Sequence, residues 1–222
     1  MTWDQAWETL FRSRDWGRYP PEELIRFVAR HYYSSPDRTV VPILEVGCGT
    51  GANLWYVARE RFQAFGIDGS PTAVEKARAR MLEERLSASL TVGDILQLDR
   101  HYPPSHFSAI VDIACVQHNR KEDIVQILRQ VRSALKPGGR VFSMMVAAET
   151  YGDGLGRRVE PGTFLDIPEG PYHGVGLTHF STLEEVQQFF SEFRDVKIEY
   201  SIRTLENQSK IIKHWIVEGV RT

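Results

Sequence analysis

The stretch ILEVGCGTGAN, residues 43–53, constrains this chain more than any other segment. A run of apolar and β-branched residues, Val40–Val46, ends at three alternating glycines, Gly47, Gly49 and Gly51, and a helical segment follows over 53–61. A strand that turns at once into a helix needs residues free to take unusual backbone angles, and a backbone that a ligand can approach closely. The first turn of the helix offers unpaired N–H groups to a polar or anionic ligand group. The same glycines also suit a plain flexible turn, so the neighbouring residues must decide.

The pattern on either side is regular. Ala64–Asp68, Leu90–Val92, Phe107–Ala114 and Arg140–Ala147 read as further strands. They alternate with helices from Pro71 to about Arg85 and over Lys121–Leu135, the latter ending sharply at Lys136-Pro137-Gly138-Gly139. Strands alternating with helices of this length indicate a parallel sheet with helices on both faces. Continuous apolar strands fit such burial. Before this core, residues 2–13 form an amphipathic helix with Trp3, Trp7 and Leu10/Phe11 on one face, and Pro20-Pro21 open a second, EELIRFVARHYY. After it, residues 148–180 are rich in Gly and Pro and read as a long functional loop. Ser181–Phe193 reads as a helix with a capping-box start. Val196–Ile202 and Ile211–Glu218 alternate as a closing antiparallel pair. One domain over 1–222 is expected: a helical cap over 1–37, a core over 38–148, a substrate loop over 149–180, and a final helix and strands over 181–222.

Two acids give the glycine loop chemical meaning. Asp68 ends the second strand about 20 residues after Gly47, where a carboxylate can accept from both hydroxyls of a ribose. Asp94 ends the third strand in Gly93-Asp94-Ile95, placed to bind an adenine amino group with Ile95 against the ring. Each, alone, is also compatible with a solvated strand-end acid. Gly47, Gly49 and Ala52 satisfy a dinucleotide fingerprint too, so an NAD-dependent oxidoreductase is a rival. Glu45 speaks against it. A carboxylate inside the first strand needs a donor or cationic partner, and it would repel a pyrophosphate while accommodating a sulfonium ligand that carries an ammonium.

The combination resembles the class I S-adenosylmethionine (SAM)-dependent methyltransferases. LEVGCGTGAN is similar to their E/D-x-G-x-G-x-G loop, Gly93-Asp94-Ile95 to their adenine segment, and FSAIVDIACVQHN and LKPGGRVF to their fourth-strand motif and entry to strand five. The resemblance covers roughly 38–148. It implies a doubly wound, mostly parallel seven-stranded sheet with the last strand antiparallel. It also implies SAM as cofactor, with S-adenosylhomocysteine as product. The implied cofactor-binding set is Tyr19, Glu45, Gly47, Cys48, Gly49, Thr50, Gly51, Asn53, Asp68, Gly69, Ser70, Gly93, Asp94, Ile95, Ala114 and Cys115. Gln117 departs from the pattern, since many relatives are apolar there.

Methyl transfer from a sulfonium is an in-line displacement with a good leaving group, so positioning dominates and no fixed triad is expected. A base helps where the acceptor must lose a proton. His118, just after the fourth strand, is the leading candidate, followed by His173 and His179 with Tyr172 in GPYHGVGLTHFS. Tyr19, in DWGRYPPEE, is expected to cover the pocket. The expected function is methylation of an oxygen or nitrogen of a small molecule. The rivals are the oxidoreductase, a non-catalytic SAM-binding module and, more weakly, a protein or RNA methyltransferase.

Lys plus Arg number 27 against 29 Asp plus Glu, a net charge of −2, which does not suggest a nucleic-acid surface. Cys48 and Cys115 offer neither a disulfide framework nor metal spacing. No apolar run reaches membrane-span length, and the N-terminus lacks the apolar core of a signal peptide. A cytoplasmic monomer or homodimer without a metal is expected.

Overall fold

The central strand, Pro42–Val46, is buried from end to end because helices cover both faces of the sheet there, whereas the edge strand Ala88–Val92 is only partly buried. The computed structural model describes residues 3–14 and 16–222; Thr2, where the first helix was expected to begin, lies outside them. In chain order the elements are α1 (Ala6–Ser13), α2 (Glu22–Tyr32), β1 (Pro42–Val46), α3 (Ala52–Arg59), β2 (Gln63–Asp68), α4 (Pro71–Glu83), β3 (Ala88–Val92), β4 (Phe107–Ile113), α5 (Lys121–Ala134), β5 (Leu135–Val146), β6 (Arg157–Glu160), β7 (Thr163–Leu165), β8 (Thr178–His179), α6 (Leu183–Phe189), β9 (Arg194–Leu205) and β10 (Lys210–Val220). The main sheet has seven strands in the order β3-β2-β1-β4-β5-β10-β9. β1 to β5 run parallel, and β10 lies antiparallel between β5 and β9. This is the expected doubly wound sheet with its last strand reversed.

Period-two alternation sorts the strand residues between two cores. Leu44, Val46 and Ile110 face Ile127, Val131 and Phe190 on the side of α5 and α6. Ile43, Ala109 and Val111 face Leu24, Phe27 and Val57 on the side of α2 and α3. Each of the larger of these side chains contributes roughly 1.5–3 kcal/mol on burial. Local chemistry sets the helix ends. Ser70 caps α4 by accepting from Ala73 N–H at 3.0 Å, with Pro71 next to it. Thr182 and Glu185 form a reciprocal capping box on α6.

Two segments differ from expectation. β5 starts at Leu135, directly after α5, and not at Arg140. The Lys136–Gly139 stretch forms an irregularity in the β4–β5 pairing, with Phe107 opposite Leu135 but Ala109 opposite Arg140, and Gly138 turns it with φ +76°. Residues 148–180 are also more than a loop. They hold a small sheet in the order β6-β7-β8 over its own apolar cluster of Phe164, Ile167, Tyr172, Val175 and Phe180, against which Trp7 and Leu10 of α1 pack. Among the described residues no helix is long and apolar enough to cross a membrane.

Candidate functional site

The strand order reverses between β1 and β4, so their outgoing connections part and leave a crevice at the carboxyl edge. A cavity of about 490 Å³ occupies it, within the range of small-ligand sites, roughly 300–1,000 Å³. Gly47, Cys48, Gly49 and Thr50 form its floor. Gly47 has φ +65°, and a Cβ there would fall 2.1 Å from Cys115 Sγ, so the loop and the end of β4 meet only because the side chain is absent. Ala114 holds φ +57° at that junction, a strained position for a non-glycine residue of the kind found at functional sites.

Four carboxylates shape the site. Asp68 accepts from Gly49 N–H and Ser70 N–H, both at 2.8 Å, one on each oxygen. It lines the cavity, and each oxygen keeps a lone pair for a ligand hydroxyl. Asp94 accepts from Leu96 N–H at 2.9 Å and lines the cavity with Gly93 and Ile95. Glu45 is 2% exposed. Asn53 donates to its Oε1 at 2.6 Å, while Oε2 has no hydrogen-bond partner among the described residues. Burial outweighs the Asn53 bond and, with Asp68 and Asp112 nearby, pushes its pKa up to about 8. Asp112 was not anticipated. It accepts from Cys115 N–H at 3.0 Å, Val116 N–H at 3.1 Å and the Ser143 hydroxyl. Burial, opposed by those bonds, raises its pKa to about 6. It builds the turn that presents Cys115, Gln117 and His118. An acid inside the apolar run FSAIVDIA is the signal that marked it.

Two segments roof the cavity. From α1 come Trp7 and Phe11, with Trp16, Tyr19 and Pro20 following. From the 149–180 segment come Pro171, Tyr172 and Val175. Tyr19 stands edge-on to Trp55 at 5.6 Å. Between the roofs lies His118, partly buried, and desolvation of its ring brings its pKa down to about 4 despite a stabilising bond to Leu177 O. Its ring packs 4.7 Å from that of Trp7. Gln117, fully buried, accepts from Val146 N–H at 2.6 Å and reaches both His118 and Tyr172. In the sequence it stands out only as a polar departure from an apolar pattern and carries no assigned role.

The other expected residues divide cleanly. His118, Tyr19, Glu45, Cys48, Asn53, Gly69, Ala114 and Cys115 line the cavity. Gly51 lies off the wall; a Cβ there would press on Ala77 and Met81, so it serves the packing of α4. Ser70 is also off the wall, its hydroxyl turned to Glu8. His173 is exposed and bonded through Nδ1 to Ile167 O at 3.0 Å. His179 is fully buried in the small sheet, 2.8 Å from Thr163 Oγ1 and 3.4 Å from Glu185. Neither histidine lines the cavity, so as placed here they hold the covering segment together and do not face an acceptor. The reason is the folding of residues 148–180 into a sheet with its own polar contacts. Among the described residues no cluster of His, Cys, Asp or Glu could hold a metal ion.

Residues 43–139 match the family model described as a methyltransferase domain. This stretch, a little under half of the chain, is similar to methyltransferase domains. Norajmaline N-methyltransferase of Rauvolfia serpentina is 30% identical over 131 residues, 57% of this chain and 42% of that enzyme. The ubiquinone biosynthesis O-methyltransferase of Xanthomonas campestris is 34% identical over 100 residues, 45% of this chain and 41% of its own length. The matched region thus spans about two fifths of these curated relatives. Among solved structures, a Haemonchus contortus phosphoethanolamine N-methyltransferase 2, in complex with phosphomonomethylethanolamine and S-adenosylhomocysteine, superposes over 97% of this chain and 56% of that chain. The TM-score is 0.68 at 18% identity, a likeness of fold.

Proposed function

We propose that the protein transfers a methyl group from SAM to an oxygen or nitrogen of a small molecule held beneath α1 and the 149–180 segment. The observation that carries this reading is the set of carboxyl groups around the glycine loop, with no countercharge beside them among the described residues. Glu45 lies beneath it with an unpartnered Oε2, and Asp68 and Asp94 line the same cavity, with no lysine or arginine on the wall among the described residues. A dinucleotide pyrophosphate would meet carboxyl groups there and no lysine or arginine to offset its charge. A ligand carrying a sulfonium and an ammonium completes the site.

The residues fit SAM in detail. Asp68 would take the ribose hydroxyls, Asp94 and Ile95 the adenine, and Glu45 with the Gly47–Gly49 backbone the methionine end, beside Ala114 and Cys115. When bound, SAM supplies a methyl group on a positively charged sulfur. The protein's task is then to hold the acceptor atom in line with that methyl and to exclude water. Trp7, Tyr19, Tyr172 and the His118 ring are placed for it. Room lined by His118, Tyr172 and Met144, beyond the glycine loop, supports a transferase over a module that only binds SAM. The curated relatives named above carry N- and O-methyltransferase names, which supports a small-molecule acceptor.

Balanced charge and two unpaired cysteines support a cytoplasmic protein without nucleic-acid substrate. The whole chain is expected to act as one unit, as a monomer or homodimer. The reading is tested with methyl-labelled SAM and a panel of small hydroxyl- and amine-bearing acceptors. Label on an acceptor with equimolar S-adenosylhomocysteine supports it. Oxidation of an acceptor with reduction of NAD would overturn it.

A further inference from the structure

The wall of the cavity restricts the acceptor further than methyl transfer alone requires, and this step rests on the reading above. Asp4 joins Glu45, Asp68 and Asp94 on the wall, with no cationic side chain among the described residues there. An anionic acceptor would be stripped of water beside carboxylates and meet no protein countercharge. Aromatic rings face it instead. Trp7 lies 5.6 Å from Trp16, edge to face, and Tyr172 closes the other side, 6.4 Å from the His118 ring.

The imidazole, amide and phenol beside these rings are already engaged. The Leu177 carbonyl only accepts, so His118 Nδ1 carries the proton and donates to it at 2.9 Å. Val146 N–H fixes the Gln117 amide through Oε1, which makes Gln117 Nε2 a donor to His118 Nε2 at 3.3 Å. The lone pair that a base would use is therefore the one Gln117 occupies. Tyr172 Oη meets Gln117 and, at 3.1 Å, His214 Nε2. Asp4 accepts from Ala6 N–H at 2.9 Å and Leu177 N–H at 3.3 Å. A hydroxyl acceptor must shed a proton as its oxygen attacks. A neutral amine presents its lone pair without help.

We propose that the acceptor is the neutral nitrogen of a ring-bearing or apolar amine, and that Trp7, Trp16, Tyr172 and Asp4 serve the transfer in place of a protein base. The nitrogen lone pair forms the new N–C bond as the C–S bond breaks, and the electron pair of that bond stays on sulfur as a neutral thioether. The unit of positive charge passes from sulfur to nitrogen, beside aromatic faces that attract a cation. A primary or secondary amine then loses its N–H proton to bulk water; a tertiary amine leaves as the quaternary ammonium. His118 in this account is a positioning residue for Trp7 and the roof.

Calorimetric titration of the full chain, first with S-adenosylhomocysteine and then, on the saturated protein, with benzyltrimethylammonium, benzyl alcohol and phenylacetate, tests this. The cation is expected to bind at least ~10-fold more tightly than the alcohol, with phenylacetate binding more weakly than either. Trp7→Leu should erase the preference and Trp7→Phe keep part of it, so the conservative variant carries the test if the first does not fold. Normal S-adenosylhomocysteine binding with equal affinity for the three probes, or with phenylacetate tightest, overturns the amine assignment and leaves methyl transfer standing. Failure of S-adenosylhomocysteine to bind overturns both.

Discussion

The Thr72 hydroxyl donates to the Glu8 carboxylate at 2.6 Å, tying the helix that roofs the cavity to the first turn of α4. The Ser70 hydroxyl donates to the same carboxylate, and Lys76 Nζ donates to Phe11 O, at the other end of α1, at 2.6 Å. A carboxylate at one helix N-terminus and an ammonium at another's C-terminal turn both suit the helix dipoles. Ser70 follows Asp68 by two residues, so the roof and Asp68 share one short segment.

Replacing this clasp should loosen the roof without unfolding the core. Glu8→Ala is expected to cost ~0.5–2 kcal/mol, the scale of a lost helix cap, and to speed S-adenosylhomocysteine release in stopped-flow. Burial opposes the charge of Glu8, but bonds from Ser70, Thr72 and Arg12 outweigh it and bring its pKa down to about 2. A depressed carboxylate stabilises the fold above its unfolded pKa, near 4.5, and that contribution fades as pH falls toward about 2. Release rates should therefore be flat with pH from 5 upward as far as this contact is concerned.

Glu45 should couple cofactor binding to proton release. With a pKa of about 8 it is mostly protonated at pH 7 in the free protein. A bound ammonium and sulfonium favour its ionised form, so calorimetry at pH 7 in buffers of different ionisation enthalpy should report release of up to about one proton. The stability sign runs the same way. A raised carboxylate supports the fold fully below the unfolded value of about 4.5 and progressively less as pH rises through about 8. Glu45→Gln should remove both the proton release and that part of the stability slope between pH 5 and 8.

Asp68→Asn preserves size but removes the charge and one acceptor oxygen. Loss of charge-assisted bonds to two ribose hydroxyls is expected to weaken S-adenosylhomocysteine by ~2–4 kcal/mol, about 30- to 1,000-fold at ~1.4 kcal/mol per tenfold. Unchanged affinity would remove the ribose assignment.

Gln117→Leu strands the buried Val146 N–H, which Gln117 Oε1 accepts at 2.6 Å. The expected cost is ~1–3 kcal/mol in chemical denaturation. In the native protein, imidazole NMR titration of His118 should give a midpoint near the value of about 4 that burial imposes. As a depressed base, neutral His118 favours the fold above its unfolded pKa of about 6.5, and that support is lost as pH falls through about 4. An inflection near 6.5 would mean the ring is solvated.

The glycine-loop side of the cavity was legible because it depends on short-range geometry. Gly47, Asp68 and Asp94 sit at strand ends, and their spacing along the chain is their spacing along the sheet edge. The roofed side was not. Gln117, Asp112 and Tyr172 meet through partners that are remote in sequence, such as Val146, Ser143 and His214. His173 and His179 looked eligible because residues 148–180 carry no periodicity. That segment folds through strands of two to four residues, too short for alternation to declare itself. Gly51 matched the family loop, yet its φ of +81° serves contact with Ala77 and Met81.

The central claim is the cofactor, and titration calorimetry of the purified protein with SAM, S-adenosylhomocysteine and NAD tests it most directly. The account predicts that SAM and S-adenosylhomocysteine bind at one site and compete, while NAD gives no heat. Binding of NAD with no response to SAM would contradict it, and would turn the Gly47–Ala52 loop and Asp68 into parts of a dehydrogenase.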